Sequence, residues 1–133
     1  MITEDYVSLE VAKLLKERGF DAECHAYYIM YADGSKKFCV SQAYPEGHNF
    51  NGGEEYEVSA PTLQMSMKWL REEHNLYINI FVTWKNKIPH YQWSIDNLIT
   101  QDTIYDTPCL EKYEEACDEA IKYCLENLIG NEN

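Results

Sequence analysis

Residues Leu76 to Asp96 read LYINIFVTWKNKIPHYQWSID, and the alternation in this stretch decides the fold. Ile78, Ile80, Val82 and Trp84 alternate with Tyr77, Asn79, Phe81 and Thr83, while on the return Tyr91, Trp93 and Ile95 alternate with His90, Gln92 and Ser94. A period of two belongs to a strand, whose successive side chains point to opposite faces. Both apolar sets share a face only if an even number of residues connects them, and the two-residue turn Asn86-Lys87 provides this. The stretch reads as a β-hairpin with one dry face and one wet face.

Helical patterns lie on both sides of it. Upstream, Leu63, Met67 and Leu70 form a stripe flanked by Met65 and Trp69, with Pro61 in the first turn. Downstream, a helix begins between Pro108 and Lys112, runs to Gly130, and aligns Tyr113, Cys117, Ala120, Ile121, Cys124, Leu125 and Leu128. A first helix starts after the N-cap Ser8, places Val7 as a staple against Ala12, and closes at Gly19. Between the first two helices, Glu23–Tyr31 and Lys36–Ala43 flank Ala32-Asp33-Gly34-Ser35. Asp-Gly between such runs signals a type I′ hairpin. That turn puts Tyr28 opposite Cys39 and Cys24 opposite Ala43, with the two thiols about 13 Å apart along the strand at about 3.3 Å per residue, too far to join. Residues 44–55 (YPEGHNFNGGEE) read as an exposed irregular loop.

The order is therefore α-β-β-α-β-β-α, an α+β fold in which an antiparallel sheet of two hairpins carries its helices on one face. With 133 residues, 45% apolar residues and 14% aromatic residues, the chain is expected to form a single globular domain over 1–133. No run of about 18 apolar residues is present to span a membrane. The opening Met1-Ile2-Thr3-Glu4-Asp5 is acidic where a signal peptide is basic, so a cytoplasmic location is expected. Five cysteines without a C-x-x-C pair fit reduced core thiols, and four histidines in four different elements show no metal-ligand spacing. Cys24 and His25 are adjacent, but neighbours on a strand face opposite ways and cannot form a nucleophile and base. No catalytic motif, cofactor loop or metal site is expected.

Net charge is −12 and unevenly spread. Residues 1–20 carry −1, residues 21–60 carry −5 and residues 100–133 carry −7. In residues 61–99, Lys68, Arg71, Lys85 and Lys87 outweigh Glu72, Glu73 and Asp96 to leave +1. An acidic surface repels phosphate, which disfavours direct nucleic-acid binding and points to another protein as partner. Candidate contacts are Tyr44, His48 and Phe50 in the long loop, together with Glu111, Glu114, Glu115, Asp118 and Glu119 on the last helix. The like-charged i, i+4 pairs on that helix each cost roughly a few tenths of a kcal/mol, the pattern of an acidic strip for a basic partner. A second candidate surface is the wet face of the Leu76–Asp96 hairpin, where Tyr77, Phe81, His90 and Gln92 would meet a small molecule or peptide. An open edge strand also permits a homodimer.

Three blocks, YVSLEVAKLLKERGF (Tyr6–Phe20), APTLQMSMKWLRE (Ala60–Glu72) and YEEACDEAIKYCLENLI (Tyr113–Ile129), resemble a family of small proteins of gut bacteria and their phages or mobile elements. The resemblance spans nearly the whole chain. It rests on helix-stripe positions, implies a shared fold and an accessory role, and assigns no activity or site. Ser8–Leu15 is also similar to the opening helix of excisionase-type winged helix-turn-helix domains. Here it runs into Gly19, Phe20 and an aromatic strand instead of a basic recognition helix, so a DNA-associated regulator is the weaker expectation.

Overall fold

Among the residues described by this computed structural model, 2–105 and 108–130, the chain follows the expected α+β order. It runs α1 (Leu9–Glu17), β1 (Ala26–Met30), β2 (Lys36–Val40), β3 (Glu57–Ser59), α2 (Leu63–His74), β4 (Leu76–Lys85), β5 (Ile88–Asn97), β6 (Thr103–Tyr105) and α3 (Tyr113–Tyr123). A 3₁₀ turn covers Phe50–Gly52, and a π turn, Cys124–Leu128, continues α3. The two hairpins stand in separate antiparallel sheets, β2-β1-β3 and β4-β5-β6. Each is completed by a three-residue strand too short to show a period. By contacts the chain divides into two compact units, Met1–Thr62 with Gly130–Asn133, and Leu63–Ile129. No helix of the described residues is long and apolar enough to cross a membrane.

In the first unit, Ser8 caps α1 by accepting from the Val11 N–H at 3.3 Å. The helix ends at Gly19, whose φ of +88° lets its N–H reach the Lys16 carbonyl while Phe20 N–H reaches that of Leu15. These are the two bonds of a Schellman motif, and its apolar partners Leu15 and Phe20 are both buried. The helix lies along β3, with Lys16 Nζ donating to the Glu57 carbonyl at 2.9 Å. Val7, before the helix, donates to the Pro61 carbonyl, and Thr62 bridges Tyr6. Pro61 is thus held in an extended segment, and α2 starts two residues later than the proline signal placed it.

The first hairpin is shifted by one residue from the register expected of a two-residue turn. Tyr28 faces Phe38, Tyr27 faces Cys39 and Ala26 faces Val40. The cause is the loop. Tyr31 accepts from Gly34 and donates to Ser35, leaving three loop residues of which Gly34 alone has positive φ, +89°. That is a type I turn with a left-handed glycine, not the type I′ turn, which needs two such residues. Asp33 fixes it by accepting from the Ser35 hydroxyl at 2.6 Å and backbone N–H at 2.9 Å, contacts that hold its carboxyl below the usual range. Cys24 falls outside the strand and pairs with His48 instead of Ala43.

In the second unit Asn86 (φ 52°) and Lys87 (φ 67°) form the two-residue turn, and β4 pairs with β5 from Leu76↔Asn97 to Lys85↔Ile88. Ile78↔Ile95 and Ile80↔Trp93 therefore occupy one face, as the alternation requires. Helices α2 and α3 pack together on the sheet, with the Trp93 ring 5.2 Å from Tyr123 and Tyr91 6.1 Å from Tyr113. Leu70, Trp93, Ile95, Cys117, Ile121, Cys124 and Leu125 form the core of this unit.

Lys87 holds a left-handed conformation that costs a side-chain-bearing residue roughly 1 kcal/mol. Lys87→Gly is expected to raise unfolding free energy by about 0.5–1 kcal/mol, net of the extra freedom glycine brings to the unfolded chain. Urea denaturation followed by circular dichroism measures this, and a loss of stability would contradict the type I′ assignment.

Candidate functional site

The long loop is pinned, not irregular. Cys24 and His48 exchange both backbone hydrogen bonds, at 3.0 and 2.9 Å. The Asn51 side chain donates to the Phe20 carbonyl at 2.9 Å and accepts from Ser59 N–H at 2.8 Å, while the Ser59 hydroxyl accepts from Phe50 N–H at 3.0 Å. Gly47 has φ +90°, and a Cβ there would sit 3.2 Å from that of Glu23, so the close approach requires glycine. Of the loop contacts expected from sequence, Phe50 is a core residue, only 5% exposed and stacked on Tyr27 at 4.4 Å. His48 packs edge-on against Phe50 at 4.9 Å, and Tyr44 stacks on His48 at 4.2 Å. One ordered aromatic row results, with Tyr44 exposed at its end.

On α3 the acidic residues separate into two groups. Glu111, Glu114 and Glu115 are exposed near the helix start, where the dipole favours them. Asp118 and Glu119 are half-buried, and Glu119 shares the lining of an open cleft of about 420 Å³ with Lys122 and Glu126.

The wet face of the β4–β5 hairpin brings three of its four expected residues together. Phe81 lies directly opposite Gln92, and His90 is opposite the adjacent Thr83, whereas Tyr77 pairs with Asp96 toward the other end. Its polar atoms bond largely among themselves. Thr83 Oγ1 donates to Gln92 Oε1 at 2.6 Å, Asn79 Nδ2 to Asp96 Oδ2 at 3.0 Å, and the Thr103 hydroxyl to Asp96 Oδ1. Such internal pairing leaves this face as a surface lined with aromatics more than a polar cradle.

The dry face holds what the alternation did not reveal. Near the base Leu76, Trp93 and Ile95 are buried, but toward the turn Val82 is 46% and Trp84 68% exposed. Ile88 and Phe81, on the opposite face, are uncovered as well. Lengths explain this. Ten-residue strands extend about 33 Å at 3.3 Å per residue, whereas α3 with its π continuation, Tyr113–Leu128, is about 24 Å long at 1.5 Å per residue, and its first residue, Tyr113, already meets Tyr91. A helix that seats on Trp93 and Tyr91 cannot reach the turn. Nothing in the sequence signals this, because a helix running from between Pro108 and Lys112 to Gly130 is as long as the strands.

The thiols are placed for packing. All five cysteines are free; Cys24, Cys117 and Cys124 are buried. Burial pushes the Cys124 thiol up to about 12 and raises that of Cys24, the opposite of what a nucleophile needs. Among the described residues no cluster of three His, Cys, Asp or Glu side chains is placed to hold a metal.

A thiol with a raised folded-state value contributes its full stabilisation below the unfolded value, near 9, and loses it as the pH climbs toward the folded value. Unfolding free energy is expected to fall between about pH 9 and 12, and Cys124→Ala to flatten that limb while lowering stability at pH 7; an unchanged alkaline limb would contradict a buried neutral thiol. Asn51→Ala breaks two side-chain bonds at once, to Phe20 and to Ser59. It should cost about 1–3 kcal/mol and speed amide exchange at Cys24 and His48 ahead of global unfolding, whereas unaltered exchange there would show the loop to be held by other contacts.

In comparisons with protein-family models, curated proteins and solved structures, the chain matches none.

Proposed function

We propose that this chain is a non-catalytic protein-interaction module, of the accessory kind its resemblance to phage and mobile-element proteins implies, and that its contact surface is the end of the β4–β5 hairpin. One observation carries the reading: Phe81, Val82, Trp84 and Ile88 are 38–68% exposed on a hairpin held by ten continuous residue pairs and a tight turn. Large apolar side chains on a preformed support lose little entropy on docking, and a tryptophan at the centre of an interface contributes about 2 kcal/mol or more. From Leu76 to Ile95 the only charges are Lys85 and Lys87, so this surface differs from the acidic remainder of the chain.

A second reading draws on Glu111, Glu114 and Glu115, which are exposed together at the start of α3 and suit a basic partner. The two differ in salt dependence, since exposed charge contacts are screened within about 8 Å at physiological ionic strength.

Trp84→Ser with Ile88→Ser removes exposed side chains and is expected to change stability by less than about 0.5 kcal/mol. Partner binding, read by calorimetry or by sedimentation of the purified complex, should weaken at least tenfold and persist at high salt. Binding unaffected by this pair, yet abolished by salt and by Glu114→Gln with Glu115→Gln, would overturn the hairpin reading and assign the contact to α3.

A further inference from the structure

Each sheet has two edges, and three of the four are protected. β3 and β6 are three residues long, and β2 carries the adjacent lysines Lys36 and Lys37 in its five residues. Short strands and edge lysines are the usual means of preventing one sheet from pairing with another. β4 has neither. It is ten residues long, ends the order β4-β5-β6, and from Leu76 to Trp84 carries no charge.

The direction of its unpaired backbone groups follows from β5. Tyr91 exchanges both backbone hydrogen bonds with Leu110, at 2.7 and 2.8 Å, on the side away from β4. In an antiparallel ladder successive residues alternate sides, so His90, Gln92, Ser94 and Asp96 are the residues bonded to β4, through Thr83, Phe81, Asn79 and Tyr77. The N–H and C=O groups of Ile78, Ile80, Val82 and Trp84 accordingly point outward. Among the described residues no strand pairs with them.

We propose that the occupant of this edge is a second copy of the chain, paired antiparallel through β4 about a two-fold axis at Phe81. This rests on the reading of the hairpin as the contact surface and names its partner. The register follows from self-complementarity. With Phe81 opposite Phe81 of the other copy, the outward-bonding residues meet one another, Ile78 with Trp84 and Ile80 with Val82, all on the apolar face. On the other face Asn79 meets Thr83, and the Lys85 ammonium meets the Tyr77 ring, a cation–π contact. Apolar groups meet apolar groups, polar meet polar, and the lysines stand at opposite ends. Four outward-facing residues on each copy form four hydrogen-bonded pairs, and the exposed Val82 and Trp84 gain apolar neighbours. Shifting the axis to Ile80 places Trp84 opposite Leu76, already buried, and leaves Lys85 opposite Asn75, which has left the strand with φ +57°. The Phe81 axis fits the strand best. The result is a continuous six-stranded sheet, β6-β5-β4-β4-β5-β6.

Sedimentation of the full chain should show a dimer that Val82→Pro, which deletes one outward N–H, dissociates at least tenfold more readily. Because proline can also disturb the strand, cysteine substitution supplies a positive readout. Phe81→Cys places two thiols across a non-hydrogen-bonded pair with Cα atoms about 4.5 Å apart, within disulfide range. Mild oxidation should join it into a covalent dimer. Thr83→Cys, whose thiols would lie about 13 Å apart at 3.3 Å per residue, and the unsubstituted chain with its five native cysteines should not cross-link. A monomer at the highest soluble concentration, a dimer indifferent to Val82→Pro, or equal cross-linking of Phe81→Cys and Thr83→Cys would each overturn self-pairing. If self-pairing fails while Trp84→Ser with Ile88→Ser still loses a different partner, the hairpin remains the contact surface; if that pair also binds normally, both readings fall.

Discussion

The structure of the second unit depends on the register of β4 against β5. Asn86 and Lys87 set it, and everything above it inherits the consequence. A slip of one residue would put Ile78 and Ile80 on the face opposite Trp93 and Ile95, so that the helices met the polar set of one strand, Asn79 and Thr83 or Gln92 and Ser94. Each large apolar side chain so misplaced would forfeit about 1.5–3 kcal/mol of burial, a large fraction of a domain's net stability of about 5–15 kcal/mol. With the register fixed, Trp93 and Ile95 fill the sheet side, while the helix buries the small Ala116, Cys117, Ala120 and Cys124 beside Ile121 and Leu125. Small residues interleaved with large ones let such a core fill without overpacking. It also explains the free cysteines, which act there as small hydrophobes.

The first unit is held by a different means. Its strands are five, five and three residues long, so the ladders alone supply few bonds. The loop after β2 compensates by bonding back to distant backbone: Asn51 ties the Phe20 carbonyl to the Ser59 amide, and His48 pairs with Cys24. These buried or half-buried groups would each be costly if left unpaired, so the loop is specified by the need to satisfy them. The Tyr44–His48–Phe50–Tyr27 row then follows from the backbone already being in place.

How far the sequence discloses this can be seen by comparing the two hairpins. From Ile78 to Ile95, two alternating apolar sets and an even turn allow a single solution, and the structure adopts it. In the first, Ala26-Tyr27-Tyr28-Ile29-Met30 has no alternation, and Asp-Gly suits both a two-residue turn and a three-residue loop with left-handed Gly34. The two differ by one residue in register, and nothing local decides between them. Helix caps at Ser8 and Gly19 were legible because capping is local, whereas the Asn51 contact spans 31 residues of sequence and leaves no periodic trace. Of the candidate surfaces, the acidic residues were visible as composition. The exposed Val82 and Trp84 were hidden because their alternation is that of a buried face, and only the seating of Tyr113 against Tyr91 shows where the helix cover begins.

That shortfall gives the uneven charge a physical meaning. Carboxylates are concentrated in residues 21–60 and 100–133, and copies of the chain repel one another there. The hairpin lies outside those segments, and Leu76–Ile95 contains no carboxylate at all. Exposed apolar side chains and an unprotected strand edge ordinarily invite indiscriminate aggregation. Lysines on β2 and the brevity of β3 and β6 close the other edges to the same kind of growth. With the other described edges short or lysine-bearing, the proposed self-pairing through β4 would stop at two copies.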